Sequence, residues 1–181
     1  MRYFRKQISL IAAAIMILNL VACSIGNKKI TVDDILSVST KQDVDKCFGN
    51  PSSKESPTSY RVSFFENEFL VLVTYSGDDV EEIRLDFFYP SMSEISMDQW
   101  SNFVPSLDEF SNARSLADDI LISFTEKLGE PSIYKPTVDT ATYTWSVDGC
   151  SIKFNDFVND KKYAKLGPIE IVIEYELPHA N

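Results

Sequence analysis

Two helices in this 181-residue chain end in the same way, and that repetition narrows the possible folds more than any other feature. Phe48-Gly49-Asn50-Pro51-Ser52 and Leu128-Gly129-Glu130-Pro131-Ser132 stand 80 positions apart. Glycine closes a helix because it accepts the left-handed backbone there, and a proline two places on stops the helix resuming. Apolar residues at helical spacing precede each break: Val44, Cys47 and Phe48 in the first copy, then Leu107, Phe110, Ala117, Leu121, Phe124 and Leu128 in the second. Both helices start with capping-box patterns, Thr40-Lys-Gln-Asp43 and Ser106-Leu-Asp-Glu109. Arg114 interrupts the second stripe. An earlier helical pattern begins at Thr31-Val-Asp-Asp.

Alternating runs follow each break. In the first copy, Tyr60, Val62 and Phe64 alternate with Arg61, Ser63 and Phe65. A turn at Glu66-Asn67 leads to the run 69–75, and Ser76-Gly-Asp-Asp79 to the run 82–89. Keeping one face apolar through that second turn requires either a five-residue turn or a bulge. In the second copy, Tyr143, Trp145 and Val147 lead into Asp148-Gly149, a two-residue hairpin signal that pairs Val147 with Cys150. Ile169, Ile171, Ile173 and Tyr175 close the pattern. Each copy has one apolar sheet face and one helix to cover it. The pattern therefore predicts an α+β fold of two tandem helix–β-β-β repeats, an antiparallel sheet with helices packed on one face. Repeat 1 spans about 31–90, a linker 91–105, and repeat 2 about 106–178, all in one domain (31–178).

This unit, a helix, (Phe/Leu)-Gly-x-Pro-Ser and three strands, is similar to the repeat of the β-lactamase inhibitor protein. It also resembles the small lipoprotein of the outer-membrane barrel-assembly machinery. The resemblance implies helices on one sheet face and a protein partner on the other. Those families' contact residues have no motif that matches here, so none is assigned from them.

The N-terminus opens with Arg2, Arg5 and Lys6, and an apolar run follows from Ile8 to Val21. That run is shorter than the roughly 20 residues a spanning helix needs, and the layout is that of a secretory signal, residues 1–22. Leu20-Val21-Ala22-Cys23 resembles the lipobox of bacterial lipoproteins. The resemblance implies cleavage between Ala22 and Cys23, with Cys23 lipidated through its thiol, and a lipidated tether over 23–30. The expected location is the cell membrane, lipid-anchored on its extracytoplasmic face, or the outer membrane where the envelope has one.

Without residues 1–22 the chain carries 14 lysines and arginines against 27 acids, a formal charge of −13. Such a surface repels phosphate backbones, so nucleic acid is not an expected partner. It also leaves the acyl chains, rather than a basic patch, as the expected membrane anchor. No Gly-x-Ser-x-Gly, phosphate loop or His-Glu-x-x-His is present, and the single histidine, His179, lies at the extreme C-terminus. No catalytic residue, metal ligand or cofactor is expected, and the chain reads as a non-enzyme. Cys47 and Cys150 are either a disulfide pair or two buried thiols, and both readings stay open.

The alternation leaves an outward sheet face with Arg61, Phe65, Leu70, Leu72, Arg84, Asp86, Phe88 and Lys153 as the candidate partner surface. Large apolar groups mixed with charges are the composition either of a protein-binding patch or of a face covered by the linker with Trp100 and Phe103 or by the other repeat, and both readings stay open. The expected function is a lipid-anchored protein-binding or assembly module whose partner is another envelope protein. The alternative is a lipoprotein that binds a small ligand or cell-wall fragment, for which a pocket lined by Trp100 or Trp145 would be the sign. The lysines of the 155–168 loop read as a solvated hairpin tip or a second contact loop.

Overall fold

The computed structural model describes residues 27–96, 99, 102–147, 149–160 and 167–176. Ala22, Cys23, Trp100, the loop lysines Lys161, Lys162 and Lys165, and His179 lie outside the described residues. In chain order the elements are β1 (Lys28–Ile30), α1 (Val32–Leu36), α2 (Lys41–Phe48), β2 (Thr58–Phe64), β3 (Asn67–Ser76) and β4 (Asp79–Phe87). A 3-10 turn (Pro90–Glu94), α3 (Leu107–Leu128), β5 (Ile133–Pro136), β6 (Ala141–Val147), β7 (Cys150–Asp156) and β8 (Ile169–Tyr175) complete them. The fold is α+β.

Local chemistry accounts for the helix ends. Thr31, Thr40 and Ser106 each accept from the backbone N–H three residues on, and Asp34, Asp43 and Glu109 reach back to the cap. The helices α2 and α3 end at Gly49 and Gly129, with φ of 83° and 81°, a backbone that a Cβ would strain. Glu109 also accepts from the Ser91 N–H at 3.0 Å, which ties the start of α3 to the chain leaving β4. Replacing Ser106 by alanine is expected to cost about 1 kcal/mol of stability. Urea denaturation checks this, with an unchanged midpoint as the contrary result.

All strands join one sheet, ordered β1-β2-β3-β4-β8-β7-β6-β5. Two antiparallel meanders, β2-β3-β4 and β6-β7-β8, meet where β4 pairs with β8. Of the two ways to keep the phase through the β3–β4 turn, the chain uses a bulge, between Thr74 and Tyr75. One core covers the inner face. In it Tyr60, Val71, Leu85, Ile171 and Phe154 pack with Ile35 of α1, Val44 and Phe48 of α2, and Ala113, Leu116, Ile120 and Phe124 of α3. Phe124 stacks on Trp145 at 5.6 Å, and the indole N–H donates to the Gly129 carbonyl at 2.8 Å.

Four expectations change. Lys28–Ile30, assigned to the tether, forms an edge strand parallel to β2, because Ile30 has a place in the core opposite Phe64. The exposed run Ile133–Pro136 adds β5, with no apolar alternation to announce it. The buried face of α3 is rotated by about one residue: Leu107 is exposed while Ala113, Leu116 and Ile120 are buried. The first hairpin turns one residue early, at Phe65-Glu66, with φ of 47° and 61° at the two residues. Cys47 and Cys150 are both free thiols; burial raises Cys47 to about 11 and also raises Cys150. No described helix is long and apolar enough to cross a membrane.

Candidate functional site

Residues directly opposite in an antiparallel pair share a face. Register therefore assembles the outer face row by row. One row runs Arg61, Leu70, Asp86, Glu170, Asn155, Thr142 across six strands. The next runs Ser59, Leu72, Arg84, Val172, Lys153, Thr144. Six of the eight sequence-derived candidates, Arg61, Leu70, Leu72, Arg84, Asp86 and Lys153, thus lie on one surface. Phe88 follows β4 at its rim and packs against Leu70 and Leu72.

Phe65 does not belong there. The early turn takes it out of β2, and its ring sits edge-on to Phe64 at 4.6 Å, against the main core. The face also differs from an open apolar patch. Leu70 and Leu72 are each only 4% exposed, and Val172 is buried as well. Each leucine stands opposite an arginine, and the Phe88 ring packs on the pair. What the face presents is charge and hydrogen-bonding capacity.

Those charges are fixed. The Arg84 guanidinium lies 3.5 Å from Glu82 Oε1 and 3.3 Å from Glu170 Oε1, with its side chain 13% exposed. Glu170 also accepts from Asn155 Nδ2 at 2.7 Å, and Thr142 Oγ1 donates to Asn155 Oδ1 at 2.8 Å. Lys153 Nζ reaches Glu174 Oε2 at 2.6 Å. Arg61 pairs with Glu68, which also accepts from Asn27 Nδ2 at 2.6 Å. Fixed pairs on neighbouring strands make a surface with little side-chain entropy left to lose on docking.

Four acids, Glu82, Asp86, Glu170 and Glu174, surround Arg84 and Lys153. Burial is the first cause that raises Asp86 well above the usual carboxylate range, and the Glu170 charge adds to it. Burial likewise raises Glu82 against the pull of Arg84. For Arg84, burial opposes the charge, but Glu170, Asp86 and the other acids outweigh it and the pKa rises. The alternation of β8 already puts Glu170 outward. Its partner Arg84 lies in the other meander, and sequence spacing does not announce the β4–β8 pairing that joins them.

A pocket of about 220 Å³ opens at one end of this face, between Arg61, Glu68, Leu70, Phe88 and Met92. Trp145, expected as a possible pocket wall, is buried under α3. Among the described residues, no group of His, Cys, Asp or Glu is arranged to hold a metal ion.

Neither a protein-family model nor a curated protein sequence matches this chain. A solved structure similar to it is a DUF4309 family protein, YjgB, from Bacillus subtilis subsp. subtilis str. 168. That likeness covers 76% of this chain and 78% of that one, at 12% identity and a TM-score of 0.35.

Proposed function

We propose that this protein is a lipid-anchored extracytoplasmic lipoprotein that works as a protein-binding or assembly module without catalysis. Its binding surface is the outer sheet face, and its partner is another envelope protein. The observation that carries the reading is the asymmetry of the sheet. The three helices pack into one core on the inner face, while the outer face carries ordered rows of paired charges over a thin apolar strip. Cys23, as the lipidated residue at the end of the L-V-A-C motif, keeps the module at the membrane.

The duplication belongs to the same proposal. Helix α2 with β2-β3-β4, and helix α3 with β6-β7-β8, have the same order of elements and the same glycine punctuation at Gly49 and Gly129. The extra elements β1, α1 and β5 are where the two halves differ.

The alternative, a small-ligand or cell-wall-fragment lipoprotein, has the pocket beside Phe88 in its favour. At about 220 Å³ that pocket is below the roughly 300–1,000 Å³ of ordinary ligand sites. The broad face is therefore preferred.

In cells, a photo-reactive residue at Ser63 or Ser151 on this face should cross-link to a discrete envelope protein, whereas one at Ile122 on α3 should not. Arg61→Gln with Lys153→Gln should weaken capture at least about tenfold with only a small change in thermal unfolding, because both pairs are exposed. Undiminished capture by the double variant rejects the proposed face.

A further inference from the structure

The sheet edge that the chain enters first after Cys23 differs in charge from the rest of the molecule. Residues 28–61 carry six bases and five acids, whereas residues 62–181 carry eight bases and 22 acids. A chain that is strongly acidic as a whole is thus nearly neutral along one sheet edge. That edge consists of β1, paired to β2 at Val62–Phe64, and the Ser53 bridge to Ser59 further along the same side of β2.

Its lysines are grouped. Lys28 lies on the helix side and donates to the Lys46 carbonyl of α2. Lys29 is opposite Ser63, on the outer-face side. Lys54 follows the Ser53 bridge, and all four of Lys28, Lys29, Lys46 and Lys54 are exposed. The acids nearby are engaged. Asp43 lies 3.8 Å from Lys46, Glu68 pairs with Arg61, Asp33 with Lys127, and Asp45 accepts from the Tyr60 hydroxyl at 3.3 Å. Glu55 stands next to Lys54 in the chain.

Covalent reach adds the second constraint. Lys28 stands five positions after Cys23, a reach of at most about 18 Å at full extension. The opposite edge, β5, lies seven strand spacings away, about 34 Å across the sheet. We propose that the β1–β2 edge, with Lys28, Lys29, Lys46 and Lys54, is the surface that lies against anionic phospholipid headgroups, and that the sheet stands away from the membrane with β5 outermost. This rests on the anchoring of Cys23 proposed above. Each lysine near an anionic bilayer favours this orientation, while the acids of the rest of the chain are repelled by the same field. The outer face is then presented sideways, along the membrane surface, where a membrane-bound partner can meet it.

Amine footprinting of the lipidated full-length protein tests the orientation. The protein is reconstituted in vesicles of phosphatidylethanolamine and phosphatidylglycerol. Intact mass reads the acyl chains on Cys23, and peptide mass reads acetylation of each lysine. Relative to detergent solution, Lys29, Lys46 and Lys54 should react roughly fivefold more slowly, and Lys135 of β5 at an unchanged rate. Lys29→Glu with Lys54→Glu should abolish the difference while the acyl mass remains. An acylated protein whose Lys135 is protected as much as Lys29 overturns the orientation alone. Absence of acyl mass on Cys23 overturns the anchoring on which it rests. Equal protection on purely phosphatidylcholine vesicles would overturn the role given to the anionic headgroups.

Discussion

Replacing Arg84 by methionine is expected to lower stability by about 1.5–3 kcal/mol, the cost of leaving two half-buried carboxylates without their charged hydrogen-bonding partner. Methionine keeps much of the side-chain volume, so the loss reports charge rather than a cavity. Arg84 is the cation between Glu82 and Glu170, and without it those two carboxylates and Asp86 face one another on adjacent strands. Neutralising Glu170 in the same chain, as Arg84→Met with Glu170→Gln, should recover more than a third of the loss. Chemical denaturation of the two single variants and the double variant closes the cycle. A loss below about 1 kcal/mol in Arg84→Met would mean that the pair behaves as an ordinary surface contact.

The second large effect concerns pH. Asp86 is raised from the ordinary 3.8 to about 8, first by burial and then by Glu170. Between those values the folded chain keeps a proton that the unfolded chain has released. Stability from this group is therefore fully present below about pH 4 and falls as the pH rises toward 8. Glu82 is raised too and adds a loss in the same direction. Asparagine resembles the protonated acid in shape and hydrogen bonding. Asp86→Asn should match the parent chain below about pH 4 and exceed it by at least about 2 kcal/mol at about pH 8. Thermal unfolding across that range measures it, and parallel pH profiles for the two proteins would disprove the buried proton.

Helix ends and strand faces were legible in the sequence. Thr40, Ser106, Gly49 and Gly129 act within one turn of the backbone, so their identities suffice to place the boundaries. The Val147–Cys150 pair follows from a two-residue turn in the same way. Alternation put Arg61, Arg84, Asp86 and Lys153 on one face, and register agrees. Phe65 went wrong because a one-residue shift of a hairpin turn is worth less locally than the packing of its ring on Phe64. Whether Leu70 and Leu72 are open or covered stayed undecided because burial depends on neighbours from elsewhere in the chain, here Phe88, which alternation does not identify. β1 and β5 were missed for want of a periodic signal: three residues and four residues carry too few side chains to show one.

By itself, the sequence determined where the helices start and stop and which side of β2–β4 and β6–β8 is apolar. Those are consequences of short-range chemistry: caps, turn dihedrals and period-two alternation. Only the tertiary structure decided that β4 pairs with β8, and hence that Arg84 of one meander meets Glu170 of the other at 3.3 Å. The physical reason is that strand partners more than 80 positions apart are chosen by the shared core beneath them, whose fit no local pattern encodes.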